Sequence, residues 1–347
     1  MTFRKLFLIT LLPAAMALLS CGPKDVVNPV TPPSTDGGGG GDVTPTPTPP
    51  TPSGGDAVSM TVCTFNIRYA NTSDKFPDGS SAAWKDRAAS VKKFFDTVKP
   101  DLVGLQEVRP EQSKWFSEQL SADYGYYDVS RDSGSGASVT SHGGSHEGVG
   151  ILYRKDRFEL VLKDFFWLDA TPRELPAQNS DNTYGAWNSA CRRITVYAEL
   201  KDKKNGNAVI WFFPTHYDHK STDARKNSAD FMVNQMKALC KVTDLKQAGV
   251  VILHVGDLNT TYDSSQLKSL NDNMFYARNT AGGTDKGTGT YNGFGDSNSI
   301  IDHIYYGGKA VKPVKYWVDK TDYGVPFLSD HYPVLFQWEY QSSCPDG

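Results

Sequence analysis

The most constraining stretch of the chain is Val250-Val251-Ile252-Leu253-His254-Val255-Gly256-Asp257-Leu258-Asn259, an apolar run that stops at a carboxylate and a carboxamide two residues apart. Its β-branched content, its length and its flanks, Gly249 on one side and a Thr/Asp/Ser loop on the other, read as a buried strand rather than a short helix. Alternation along a strand places Asp257 and Asn259 on one face. Gly256 removes a side chain where another group must approach the backbone closely. Taken alone, the segment is equally an Asp-capped turn after a strand, and the rest of the chain decides between the two.

The same pattern recurs. Val58 to Arg68 has strand composition and carries Asn66 near its end. Trp84, Ala88, Val91, Phe95 and Val98 then recur at helical spacing up to Pro100, and Leu102 to Val108 is a second buried strand with Glu107 at its end. A strand, helix and strand joined this way predict a parallel βαβ unit. A further helix is expected from Pro110 to about Leu120, a loop over 131–148, a strand over Val149 to Tyr153, and a hairpin whose arms, Ile194 to Leu200 and Val209 to His216, turn at Asn205-Gly206. A helix from about Asp223 to Thr243, the opening run, and strands at Ile300 to Tyr305, Val314 to Val318 and Tyr332 to Tyr340 complete the pattern. Alternating βα units with hairpins predict two packed mixed sheets with helices outside.

A chain of 347 residues with 39% hydrophobic and 12% aromatic content can bury a sizeable core. Residues 1–20 have the charged start, apolar run and small residue of an export signal, and Leu18-Leu19-Ser20-Cys21 resembles a bacterial lipobox in which Cys21 is lipidated. Residues 21–56, rich in Gly, Thr and Pro, form a tether too polar to fold. The folded domain is expected over 57–341, followed by a tail at 342–347. These features place the protein at the envelope of a bacterium, attached to the membrane through its N-terminal lipid alone, as a monomer. A net charge of −3 supplies no overall positive field for gripping nucleic acid, so nucleic acid is not the favoured partner. Cys63, Cys191, Cys240 and Cys344 lack metal-type spacing, which predicts no zinc site and at most one disulfide.

Polar residues thus gather at the ends of apolar strands: Asn66, Glu107, His216, Asp257, Asn259, Asp302 and the pair Asp330-His331. Ligands of α/β sheets bind beyond strand ends, so these residues can converge. Thr64-Phe65-Asn66-Ile67-Arg68, Gln106-Glu107-Val108, Thr215-His216-Tyr217-Asp218-His219, Gly256-Asp257-Leu258-Asn259, Ile301-Asp302-His303-Ile304 and Ser329-Asp330-His331-Tyr332-Pro333-Val334 resemble, in order, the motifs of the endonuclease/exonuclease/phosphatase superfamily of DNase I-like fold, from about residue 58 to residue 340.

That resemblance implies a four-layer αββα sandwich and a Mg²⁺- or Mn²⁺-dependent hydrolase of phosphoester substrates. It makes Glu107 the principal metal ligand, with Asn66 beside it and Asp330 as a direct or water-mediated ligand, a set of oxygens that suits a hard cation. Asp257 orients or deprotonates the attacking water, Asn259 donates to a phosphoryl oxygen, His331 contacts the phosphate with Asp302 fixing its tautomer, and His216 is the second histidine at the scissile phosphate. The family spans substrates from nucleic acids to inositol phosphates and sphingomyelin. The sequence carries no long basic insertion and no evident membrane-penetrating hairpin, which favours a small, lipid-type or sugar-type phosphoester over an extracytoplasmic nuclease; an inactive binding module on the same fold is the third reading.

Other polar and aromatic residues have more ordinary readings. His303 and His219 are expected to be structural, His254 to be a satisfied core histidine, and His142 and His146 to lie in a Ser/Gly loop. Arg193 fits a phosphate contact and an internal salt bridge equally well. Trp84, Trp167 and Trp187 are candidates for the wall of a pocket or for the core.

Overall fold

The computed structural model describes residues 58–132, 147–283 and 287–340. The predicted signal, lipobox, tether and tail, with His142, His146 and Cys344, lie outside the described residues.

In chain order the elements are β1 (Ser59–Asn66), α1 (Trp84–Val98), β2 (Leu102–Val108), α2 (Pro110–Gln119), β3 (Tyr124–Ser130), β4 (Gly148–Arg154), β5 (Phe158–Trp167), β6 (Ile194–Asp202), β7 (Ala208–His216), α3 (Thr222–Leu239), β8 (Val251–Asp257), α4 (Lys268–Asn273), β9 (Phe275–Tyr276), α5 (Ala277–Thr280), β10 (Asp302–Gly307), β11 (Val311–Val318) and β12 (Val334–Tyr340). They form two six-stranded mixed sheets, ordered β11-β12-β1-β2-β4-β3 and β5-β6-β7-β8-β10-β9. Apolar side chains from both sheets interleave in a central layer, among them Val62, Phe212, Leu253, Val255, Ile304 and Phe336. α1 and α2 cover the outer face of the first sheet through Val91, Phe94, Phe95 and Phe116, and α3 covers the second through Phe231, Met232 and Met236. The fold is the expected four-layer αββα sandwich. A strand covered on both faces explains the unbroken apolar run of β8, every residue of which is buried.

Local signals set most boundaries. The α1 helix ends at Lys99, whose left-handed backbone (φ 50°) precedes Pro100 and returns its N–H to Phe95 O. Pro110 opens α2 behind a one-way cap in which Gln112 Oε1 accepts from the Arg109 N–H at 3.1 Å. The third helix starts on Ser221, which caps Ala224 N–H, and it stops at Leu239, earlier than the expected Thr243. Three edge strands escaped the periodicity reading, among them the two-residue β9. Residues 124–130 are broken by Gly125 and Asp128, and β5 alternates exposed and half-buried positions because it closes the rim of its sheet.

The glycine expectation at 256 holds, since a Cβ there would lie 2.2 Å from the Thr215 carbonyl oxygen of the neighbouring strand. Gly104 does the same between sheets, where a Cβ would meet Val255 and Pro214 at 2.7 and 2.8 Å.

Candidate active site

Topology explains why the strand-end residues meet. β1 pairs in parallel with β2, and β7 in parallel with β8, so Asn66, Glu107, His216 and Asp257 leave at one edge of the sandwich. β10 runs antiparallel to β8 with Asp302 opposite Asp257. Antiparallel pairing of β12 with β1 brings the loop carrying Asp330 and His331 to the same edge. Most of them border a cleft of about 450 Å³.

On one side Asn66 Nδ2 donates to Glu107 Oε1 at 3.0 Å and to Asp257 Oδ2 at 3.1 Å. Glu107 sits at a register break in the pairing of β2 with β4 and has a left-handed backbone (φ 64°), a conformation retained where the side chain must be re-aimed. Its Oε2 accepts from Tyr69 N–H at 3.0 Å. Burial opposes its charge, but the Asn66 hydrogen bond, His331 and the Tyr69 N–H hold its carboxyl below the usual range. Asp330 lies near and is shifted upward by burial and by the Glu107 charge.

On the other side His331 Nδ1 donates to Asp302 Oδ2 at 2.8 Å. Its Nε2 lies 3.7 Å from Asp257 Oδ2. Burial disfavours the imidazolium, yet the Asp302 carboxylate, with Asp257 and Asp330 beyond it, raises the His331 pKa to about 10. Asp257 is pushed up to about 7 by burial and by Asp302, and its Oδ1 accepts from Asn259 N–H at 2.9 Å. Asn259, itself left-handed (φ 52°), donates from Nδ2 to Tyr217 O and to His216 Nε2, both at 3.0 Å. His216 therefore accepts at Nε2, in keeping with a pKa well below the ordinary value through burial and the charges of Arg193 and Arg131. The site thus combines a cationic histidine, a neutral one, and a carboxyl poised near neutrality between them.

Six of the expected residues line the cleft: Glu107, His216, Asp257, Asn259, Asp330 and His331. Asp302 is buried behind His331. Asn66 departs from the expected ligand role, because its oxygen accepts from Arg68 N–H at 3.0 Å and its nitrogen faces the carboxylates; in this geometry it orients Glu107 and Asp257. Asn259 likewise has both amide hydrogens engaged, so donation to a phosphoryl oxygen requires displacing His216 Nε2.

Among the remaining histidines, His254 is satisfied by Tyr217 Oη and Phe213 O and His303 by Tyr276 Oη and Thr260 O, both in the core. His219 instead reaches the cleft, bonded through Nδ1 to Arg193 Nη2 at 2.9 Å. Arg193 makes the internal ion pair, Nε lying 3.5 Å from Asp218 Oδ2, and its Nη1 is buried without a hydrogen-bond partner at the cleft wall. Trp84 and Trp167 are core and Trp187 packs on Phe231, so none of the three walls the cleft. Cys63, Cys191 and Cys240 are free thiols.

Cleft residues absent from the expected site are Arg68, Tyr69, Arg131, Glu147, Cys191, Tyr291 and Ile301. Arg131 and Glu147 pair at 2.8 Å. They flank the Ser/Gly loop in sequence, and that is the one signal that pointed to them.

The donor chemistry fits a hard divalent cation at Glu107 and Asp330, two carboxylates of the same cleft of which the first raises the pKa of the second. In the trio Asp257, Asp302 and His331, whose ligand atoms lie within 4.8 Å of one another, His331 Nδ1 is engaged by Asp302 and Asp257 Oδ2 stands 3.7 Å from Nε2.

A four-layer sandwich with paired acids and histidines at its strand ends defines a hydrolase of the phosphoester-cleaving class. The sequence profile described as the Endonuclease/Exonuclease/phosphatase family matches residues 63–331, and the chain belongs to that family. A mannosyl-6-phosphatase from Bacteroides thetaiotaomicron is 27% identical, covering 81% of this chain and 100% of that one, with a TM-score of 0.68. An endonuclease/exonuclease/phosphatase from Bacteroides vulgatus is 27% identical, covering 82% of this chain and 100% of its own, with a TM-score of 0.67. The 3'-5'-exoribonuclease subunit Ccr4 of the CCR4-Not complex from Kluyveromyces lactis is 23% identical over 209 residues, 57% of this chain and 26% of that protein. The chain thus spans about a quarter of the length of this curated relative.

Proposed function

We propose that the protein is a Mg²⁺- or Mn²⁺-dependent phosphomonoesterase acting on a small, sugar-type phosphoester outside the cytoplasm, tethered to a bacterial envelope by lipid on Cys21. The observation that carries the reaction is the continuous chain from Glu107 through Asn66 to Asp257, with the Asp302–His331 pair across the same cleft. A divalent cation held by Glu107 and Asp330 would neutralise charge on a phosphoryl oxygen. His331, as an imidazolium, donates from Nε2 to the phosphate, and Asp302 holds that charge and tautomer. Asp257, with a pKa near neutrality, accepts the proton of an attacking water. Arg193 Nη1 and His216 face the phosphate from the opposite wall. A small cleft lined by Arg68, Arg131 and Arg193 suits a compact dianion, and the similarity to a mannosyl-6-phosphatase favours a sugar phosphate.

The test is a panel of hexose 6-phosphates, 4-nitrophenyl phosphate, bis(4-nitrophenyl) phosphate, RNA and DNA, assayed with Mg²⁺, Mn²⁺ or EDTA. Monoesters should be the preferred substrates, EDTA should abolish turnover, and Glu107→Gln should remove most of it with the fold intact. Cleavage confined to nucleic acid, or turnover indifferent to EDTA and to Glu107→Gln, would sink the proposal.

A further inference from the structure

Arg68 entered the sequence reading only as the last residue of a motif, yet the fold invests heavily in its placement. Its backbone is left-handed (φ 54°), an unfavourable state for a residue with a side chain. Three side chains fix that state: Asn66 Oδ1 accepts its N–H at 3.0 Å, while Gln112 Nε2 and Arg87 Nη2 donate to its carbonyl at 2.8 and 3.3 Å. Arg87 is fully buried and spends its other donors on carbonyls of Ile67, Ala82 and Leu328, so it ties the Arg68 turn to the loop before Asp330. The Arg68 guanidinium is then locked from behind. Nε and Nη2 form a two-point contact with Asp74 at 2.9 and 3.1 Å, and the group lies 4.3 Å from the Tyr69 ring centre. Nη1 remains, on the cleft wall, 3.5 Å from Asp330 Oδ2.

We infer that Arg68 is a specificity-determining residue that binds the third terminal oxygen of a phosphomonoester dianion and so selects monoesters over diesters; this rests on the phosphoesterase reading above. His331 and the pair Arg193 and His216 contact the phosphate from the far walls. On the wall where Glu107 and Asp330 would hold a cation, Arg68 Nη1 is the guanidinium nitrogen beside Asp330, placed to meet a terminal oxygen next to that cation. A diester presents a neutral alkoxy group at that place and gains little from a guanidinium. A simple ion pair with Asp74 would need neither the strained backbone nor the three-point clamp.

The experiment compares kcat/KM for 4-nitrophenyl phosphate and bis(4-nitrophenyl) phosphate in the full chain, its Arg68→Gln and Arg68→Lys variants, and Asp74→Asn, which unlocks the guanidinium without removing it. Losing a charge-assisted hydrogen bond should lower the monoester-to-diester ratio about tenfold to a hundredfold in Arg68→Gln. Arg68→Lys should restore part of it, Asp74→Asn should fall between, and inhibition by inorganic phosphate should weaken in step. Equal losses on both substrates, or a ratio unchanged in Asp74→Asn and Arg68→Gln, would overturn the assignment while leaving the phosphoesterase reading intact. A wild-type chain inactive on both substrates would overturn that reading first, and this one with it. Should Arg68→Gln fail to fold, Asp74→Asn and Arg68→Lys carry the comparison.

Discussion

Replacing Asp302 by Asn keeps the size and shape of a buried side chain and removes its charge. The carboxylate is fully buried, its Oδ2 accepts from His331 Nδ1 at 2.8 Å, and its Oδ1 has no hydrogen-bond partner. Its charge therefore acts mainly on the imidazole. A His331 pKa of about 10 against an ordinary 6.5 corresponds to about 5 kcal/mol of preference for the imidazolium. That agrees in size with the roughly 3–5 kcal/mol lost when one partner of a buried pair is removed. Asp302→Asn should leave His331 neutral at pH 7, free to adopt either tautomer, and lower kcat by about 10²–10⁴-fold. Stability should fall as well, so turnover is measured well below the melting temperature, with His331 followed by histidine NMR titration. His331→Ala should cost a similar factor, and the double variant should lose little more than the worse single change. If the two losses multiply, or if Asp302→Asn turns over like the wild type, His331 does not work through Asp302, and the chemistry rests on Glu107, Asp257 and His216.

Three further outcomes are expected. His254 and His303 are buried neutral with pKa values of about 4, each donating one ring N–H to a carbonyl and accepting a tyrosine hydroxyl. The unfolded chain takes up these protons near pH 6.5 and the folded one near 4, so each histidine contributes a loss of stability as pH falls through that window, by about 3 kcal/mol at most, against the opposite contribution of Asp257; a pH dependence of the denaturant melts from 7 to 4.5 that is the same in His254→Gln and His303→Gln as in the wild type would contradict this. Gly256→Ala forces a methyl group to within 2.2 Å of the Thr215 carbonyl and should cost about 1–3 kcal/mol in the same melts; a neutral change would show that β7 and β8 separate freely. Cys21→Ser should block lipidation and release the domain from the detergent phase, whereas unchanged partitioning would refute the lipobox.

The sequence by itself determined the elements whose physics is local. The unbroken apolar run of β8, the helical recurrence from Trp84 to Val98, the Pro110 start and the Asn205-Gly206 turn each bury or cap their own segment, so short-range patterns reveal them. The strand-end polar residues were also legible, since a carboxylate or amide directly after a buried strand has few structural explanations. Tertiary structure decided what depends on contacts between distant segments. Edge strands β3 and β5 are half wet and carry a weak alternation, so only their partners β4 and β6 define them. His219 and Arg193 face the cleft because the loop before β6 folds against the one after β7, while Asn66 presents its nitrogen because Arg68 N–H occupies its oxygen. The placement of Arg68 was hidden for the same reason. Its aim is set by Asp74, Gln112 and Arg87, and no pattern within a single segment records how those three meet.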